Sequence, residues 1–379
     1  MGAAALYQLA KRGKRVLGID RFAPPHGFGS SHGQSRITRL AIGEGAHFTP
    51  LALRSHDIWR ELERETGRAL MTRTGGLVIG GHKDAAPLHV ANFLEQTIKA
   101  AKRYDIRHEI LDARDIRRRF TAFNPRDDEI GYYEYEASFL RPETCVEVQL
   151  DLARMHGVEI RESTRVLDID GTDVKTDGGT FHAERVVVSA GPWISDLLGV
   201  ACEDVFRVYR QVMFWFEVDG PAAPFQPGNF PIFIWQIPNA THGIYGFPAI
   251  DGEHAIKIAG EQYVVTTSAD DVNRHVSEEE IAHMHERHVA PFLKNVSLRC
   301  VRAVPCLYTV TQDAGFVVDT MPGNEQVLIV SACSGHGFKH SAALGEAVAE
   351  LIVDGRSRLD LSAFRLDRFT ATGISPPRL

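Results

Sequence analysis

Residues Val304 to Asp319 (V-P-C-L-Y-T-V-T-Q-D-A-G-F-V-V-D) and, after a short turn, Val327 to Glu346 (V-L-I-V-S-A-C-S-G-H-G-F-K-H-S-A-A-L-G-E) decide the fold. They read as strand, turn, strand, glycine-rich loop, helix. Val327 to Val330 is an apolar run of buried-strand type, broken by Ser334-Gly335-His336-Gly337. Ala342, Ala343, Leu344, Ala347, Val348 and Leu351 mark one side of the helix that follows. Glycines between a strand and a helix let backbone N–H groups approach an anion where the helix dipole favours negative charge. Many such junctions carry glycines. Cys306, Tyr308 and Lys339 around this one single it out.

A second piece of the same grammar opens the chain. Gly2-Ala3-Ala4-Ala5-Leu6-Tyr7-Gln8-Leu9-Ala10 reads as a helix that Gly13 ends, followed by Arg15-Val16-Leu17-Gly18-Ile19-Asp20 as a buried strand closed by an acid. Gly2 stands 18 positions before Asp20, near the ~20 residues that separate the glycine fingerprint of a dinucleotide-binding βαβ unit from its ribose-binding acid. On this reading Gly2 is the third glycine of G-x-G-x-x-G. The first two glycines and the first strand of the unit then lie outside the sequence. Arg185-Val186-Val187-Val188-Ser189-Ala190-Gly191-Pro192-Trp193 is a further buried strand with a glycine turn on the ligand side. The loop from Ala23 to Gln34, rich in Pro, Gly and Ser, leads to Arg36 and Arg39. Loop amides plus guanidinium groups suit a carboxylate or phosphate.

From Arg207 the pattern changes to strand runs at Val208–Val218, 231–238, 243–249 and 255–262, an antiparallel sheet and hence a second domain. Lys257 alternates with apolar neighbours inside it; by pattern alone such a lysine faces water as readily as a site. The expected fold is α/β: a Rossmann-like domain (1–70, 140–206 and 301–379) interleaved with an antiparallel-sheet substrate domain (71–139 and 207–300).

Composition bounds the rest. At 379 residues, 44% apolar and 24% charged, the chain supports a substantial core, and a net charge of -7 with mixed signs disfavours nucleic acid and anionic membranes as partners. No apolar run approaches the ~20 residues of a bilayer span, and no apolar leader opens the chain. Five scattered cysteines (145, 202, 300, 306, 333) without CxxC spacing suit free thiols in the cytoplasm and no metal site.

Six separated motifs carry a resemblance along nearly the whole chain: M-G-A-A-A…V-L-G-I-D, S-S-H-G-Q-S-R-I-T-R-L-A-I-G-E-G, V-V-V-S-A-G-P-W, Y-G-F-P…I-K-I, C-L-Y-T-V-T-Q-D-A-G-F-V-V-D and S-G-H-G-F-K-H-S. The sequence resembles the family of monomeric sarcosine oxidase and N-methyltryptophan oxidase, FAD-dependent amine oxidases of the D-amino acid oxidase-like superfamily. The resemblance implies FAD tethered through Cys306, and hydride transfer from a secondary N-alkyl amino acid to the flavin. Oxygen is then reduced to hydrogen peroxide and the imine hydrolysed to aldehyde and amine. It implies that Arg39 and Lys339 hold the substrate carboxylate, Arg36 lies near the flavin face, Lys257 promotes reaction with oxygen, and Tyr245 and Tyr308 line the substrate cavity. Gly2, Asp20, Ser30, His32, Gly33, Ser189, Gly191, Trp193, Gly335, Gly337, Phe338 and Lys339 fall at flavin-binding positions. It also implies a monomer.

Two departures stand out. Met1 coincides with an internal family methionine, so part of the pyrophosphate site lies outside the sequence. Glu261 replaces a histidine usual in the family. The alternative reading is a non-catalytic or FAD-deficient relative with an incomplete dinucleotide site. A nicotinamide-dependent dehydrogenase would leave Cys306 and Lys257 without a task.

Overall fold

The computed structural model describes residues 1–81, 85, 88, 90–199, 204–238 and 240–370, so Cys202 lies outside the described residues. The first unit is built on short parallel pairings. Leu17–Ile19 runs parallel to Glu159–Arg161, and Val186–Val188 parallel to Asn324–Ser331, whose other edge takes Val317–Met321 antiparallel. Val327 to Ser331 are buried on both faces, the signature of a strand covered on each side. Helix Gly2–Lys11 packs on helix Ser341–Asp354, and the reason is size: a Cβ on Gly345 would stand 2.4 Å from the Ala4 Cβ. With no side chain there, two small-residue faces bring the helix backbones together. Helix Thr49–Thr66 adds Leu51, Ile58, Trp59 and Leu62 to the same core.

The second unit is a nine-stranded sheet. Its spine is the pair Phe206–Val218 and Val296–Thr311, antiparallel from Phe206 opposite Thr311 to Val218 opposite Val296. Phe214, Phe216, Phe233, Trp235, Ile256 and Ile258 pack beneath it; full burial of such side chains stabilises by roughly 1.5–3 kcal/mol each. The strand Val296–Thr311 runs unbroken across residues 300 and 301.

The sheet is not wholly antiparallel: Ile232–Trp235 lies parallel to Gly76–Gly80. These strands come from segments far apart in sequence. No hairpin turn joins them, so no turn imposes an antiparallel direction. The helix Glu278–Met284, opened by a Ser277–Glu280 capping box, continues as a π-turn through His285–Val289. Among the described residues, no helix is long and apolar enough to cross a membrane.

Candidate active site

A cavity has walls that include Arg36, Arg39, Glu44, Tyr245, Phe247, Glu261, Tyr308, Gly335, His336, Phe338 and Lys339. Residues far apart in sequence supply them, so the site exists only once the units are interleaved.

Arg39 follows the short strand Arg36–Thr38, and the turn after it is held by a buried carboxylate: Glu134 accepts from Leu40 N at 2.7 Å and Ala41 N at 3.0 Å. Burial pushes the Glu134 carboxyl up, with the two backbone N–H groups pulling it back. Arg39 is 2% exposed, lies 5.0 Å from the Phe93 ring centre, and donates to Ala41 O and to Glu44 Oε2 at 2.5 Å. Lys339 Nζ approaches the other Glu44 oxygen at 3.5 Å and donates to His336 O at 2.7 Å. Two buried cations thus converge on one carboxylate. The turn that carries Lys339 has close walls: a Cβ on Gly337 would fall 1.7 Å from Ala332 O, and no side chain could sit there.

Burial pushes the Lys339 ammonium down to about 8, with Glu44 pulling it up and Arg39 pushing it further down. Its charge is therefore present below about pH 8 and lost above it. Affinity for an amine-free carboxylate such as acetate should weaken as pH rises through 8, approaching about tenfold per unit. Titrating the dissociation constant by the flavin spectrum checks this, and Lys339→Met should flatten the profile.

Across the cavity, the Tyr245 and Tyr308 hydroxyls lie 2.9 Å apart. Burial raises both phenols well above their ordinary value, so both stay neutral donors at working pH. Lys257 does not face water, and it stands behind the cavity wall rather than on it. It is 2% exposed, donates to Gly33 O at 2.8 Å and Ser35 O at 2.6 Å, and lies 3.9 Å above the Phe247 ring centre. Burial, then the Arg36 guanidinium, push its ammonium well below the usual lysine range. Carbonyls and a ring face favour the charged form; burial opposes it. Negative charge arriving beside Lys257 would tip that balance toward the ammonium.

Arg36 joins this group to Cys306. Its guanidinium donates to Ser30 O at 2.8 Å and Ser35 O at 2.9 Å and lies 3.4 Å from Cys306 Sγ. Burial pushes the Cys306 thiol up, and Arg36 pulls it toward thiolate. Ser30 Oγ donates to Leu307 O, which ties the glycine-rich loop to the Cys306 strand. From there the segment runs back through Phe28, stacked on Phe22 at 4.4 Å, to Asp20. Asp20 accepts from Phe22 N, while Trp193 lies 5.4 Å from Phe22 and donates to Asp270 at 2.7 Å. A Cβ on Gly2 would stand 3.7 Å from Ser189 Cβ, so the first helix starts beside the Val186–Val188 strand end. Gly2 thus adjoins Ser189, while Asp20 and Trp193 meet at Phe22.

These residues fit a dinucleotide. His32 Nε2, Ser35 Oγ, Ser189 Oγ and Thr309 Oγ1 are buried polar atoms without a protein hydrogen-bond partner. Such atoms are costly unless something satisfies them. Burial also lowers His32 to about 4, which leaves a neutral ring able to donate or accept there.

The sequence reading missed Glu44, Glu134 and Glu143. Glu143 accepts from Gly33 N at 2.6 Å and Gln34 N at 3.1 Å, fixing the carbonyl-bearing loop under Lys257. Glu44 had a signal: it lies within the quoted motif, five residues after Arg39. Glu134 and Glu143 had none, since each looks like an ordinary charge beside a strand or at a helix start.

The fold and site define a flavin-dependent oxidoreductase: residues 1–351 match the FAD dependent oxidoreductase family, and the chain belongs to it. It is similar to monomeric sarcosine oxidase of Streptomyces avermitilis, 37% identical over 98% of this chain and 96% of that relative. It is also similar to N-methyl-L-tryptophan oxidase of Shigella sonnei, 34% identical over 97% of this chain and 96% of that one. Among solved structures, NikD, an unusual amino acid oxidase of nikkomycin biosynthesis, superposes with TM-score 0.80 at 23% identity, covering 96% of this chain and 94% of NikD. Glycine oxidase of Geobacillus kaustophilus gives 0.74 at 19%, covering 96% of this chain and 95% of that one. The two structures speak to the fold alone.

Proposed function

We propose that this chain is an oxidase of secondary N-alkyl amino acids that carries FAD covalently on Cys306 and makes hydrogen peroxide, acting as a monomer in the cytoplasm. The observation that carries the reading is the convergence of Arg39 and Lys339 on one carboxylate inside a cavity walled by the Tyr245–Tyr308 pair. A site that already binds a carboxylate side chain with two buried cations is made for a carboxylate ligand. The 37% and 34% identity to monomeric sarcosine oxidase and N-methyl-L-tryptophan oxidase over nearly the full chain supports the substrate class.

FAD would supply the redox chemistry, taking two electrons as hydride from the substrate carbon next to nitrogen and passing them to oxygen. The chain's own groups orient and tune. Arg39 and Lys339 fix the carboxylate, and with it the position of the reacting C–H. Tyr245 and Tyr308, neutral and hydrogen-bonded to each other, shape the opposite wall. Arg36 holds positive charge where negative charge accumulates, and that negative charge favours the protonated form of Lys257. Balance is simple: the amine loses a hydride and a proton, oxygen gains two electrons and two protons, and water cleaves the imine to aldehyde and amine.

The test is purified protein denatured in acid and run on a denaturing gel. Flavin fluorescence should stay with the chain and vanish in Cys306→Ser. Peroxide release should follow with at least one of sarcosine, N-methyltryptophan, pipecolate and proline. Protein whose bound flavin none of these reduces would refute the reading.

A further inference from the structure

Behind the cavity wall, four side chains alternate across neighbouring strands. Trp215 pairs with Arg302 on one side and with Lys257 on the other, and Lys257 pairs in turn with Phe247. Directly opposed residues share a face of the sheet, so Arg302, Trp215, Lys257 and Phe247 form one row of cation and ring. The Arg302 guanidinium lies 3.8 Å from the Trp215 ring centre, and Lys257 Nζ lies 5.5 Å from it and 3.9 Å from that of Phe247. Trp215 is 1% exposed, whereas the Arg302 side chain is 42% exposed. The row therefore runs from solvent to the buried lysine.

Gln34 fastens the 33–35 loop to this row. Its Oε1 accepts from Trp215 Nε1 at 2.8 Å and from Arg302 Nη2 at 2.7 Å, and its Nε2 donates to Glu253 at 2.8 Å. Only this orientation of the amide sets its oxygen against two donors and its nitrogen against a carboxylate. The backbone there has a φ of 70°, a conformation that glycine or asparagine adopts more readily. What glutamine adds at this turn is the amide. On either side of it, Gly33 O and Ser35 O receive Lys257 Nζ. Glu143, in the first turn of the helix Pro142–Met155, holds Gly33 N and Gln34 N. The loop is thus gripped at its backbone by a helix and at its side chain by the sheet.

Resting on the oxidase reading above, with Lys257 at its oxygen step, we infer that Gln34 is a positioning residue for that step: its amide keeps Gly33 O and Ser35 O under Lys257. Negative charge developing on oxygen favours the ammonium form of Lys257, and both carbonyls must already be in place to receive its N–H groups. Burial and then Arg36 push that ammonium down, Arg302 adds to this, and Glu143 and Cys306 pull it up. His32, kept neutral by burial, faces it as well. Of the groups around Lys257, the two carbonyls are the ones that Gln34 controls.

The test follows the two half-reactions of the flavin-loaded enzyme by stopped flow, for Gln34→Gly, Trp215→Phe and Lys257→Met beside the unmodified protein. Enzyme reduced by dithionite and mixed with oxygen isolates the oxygen step from any choice of substrate. Gln34→Gly should slow that step at least about tenfold, the scale on which misplaced groups cost rate. Its loss as pH rises should begin about 0.5–1 unit lower, because hydrogen bonds to the charged form weaken. Reduction by substrate should stay within about threefold, because Gln34, like Lys257, stands off the cavity wall. Trp215→Phe keeps a ring and removes one N–H donor, so it should slow the oxygen step by about threefold or more. That variant decides if Gln34→Gly does not fold. Independently of turnover, hydrogen exchange at residues 33–35 should lose at least about tenfold of its protection in Gln34→Gly, while the 336–340 turn keeps its own. An oxygen step unchanged in Gln34→Gly but slowed in Lys257→Met overturns the inference. So does an equal fall in both half-reactions with an unshifted pH profile, since the amide would then be structural only. If Lys257→Met is unchanged too, the inference falls with the lysine's role. If dithionite-reduced enzyme behaves as expected while no N-alkyl amino acid reduces the flavin, the inference stands and the oxidase reading of the substrate fails.

Discussion

Lys257→Met should slow the reaction of the substrate-reduced enzyme with oxygen by about 10²–10³-fold, the cost of removing one positioned donor that takes positive charge as negative charge develops in a dry site. Anaerobic reduction by substrate should change by less than about threefold, because Lys257 stands off the cavity wall that holds the amino acid. Gly33 O and Ser35 O lose their shared donor, so some stability, on the order of 1–3 kcal/mol, goes with it. Stopped-flow measurement of the two half-reactions separates these effects. An unchanged oxygen step, or an equal fall in both, would remove Lys257 from the oxygen chemistry.

Arg39→Met should cost about 3–5 kcal/mol, shared between substrate binding and folding. The guanidinium is buried, bonded to Glu44, and stacked near Phe93; without it, the carboxylate keeps only Lys339 at 3.5 Å among these two cations. Both KM and thermal unfolding should move. The double variant Arg39→Met/Glu44→Gln distinguishes the roles. Removing the buried carboxylate that Arg39 had compensated should restore most of the Tm while leaving KM raised at least about 10²-fold. If KM recovers too, Arg39 is only Glu44's counterion and the substrate carboxylate binds elsewhere.

Much of this protein could be read without coordinates, and the reasons differ from residue to residue. The strand Val327–Val330 announced itself because a sheet covered on both faces needs an unbroken apolar run. The helices at residues 2–11 and 341–354 were visible in small apolar residues, the first also in its glycine stop. Arg36, Arg39, Cys306 and Lys339 were legible because they sit within compact motifs. Lys257 was ambiguous: period-two alternation states that it shares a face with Ala255 and Ala259, not which face is inside. Only the neighbouring strand and the 33–35 loop bury it. The parallel seam between Ile232–Trp235 and Gly76–Gly80 was illegible for a similar reason, since direction between strands from distant segments is set by how the segments dock.

The sequence by itself determined the class of fold, the glycine-rich cradle from Val304 to Glu346 and the residue types available for a carboxylate and a flavin, because local periodicity and turn chemistry are short-range properties. Tertiary structure alone decided which charges meet. It set Glu44 between Arg39 and Lys339 across 295 positions of sequence, seated Lys257 on Gly33 and Ser35 across more than 220, and brought Glu261 into the cavity wall. Electrostatics depends on distance in space and on burial, and neither is written along the chain.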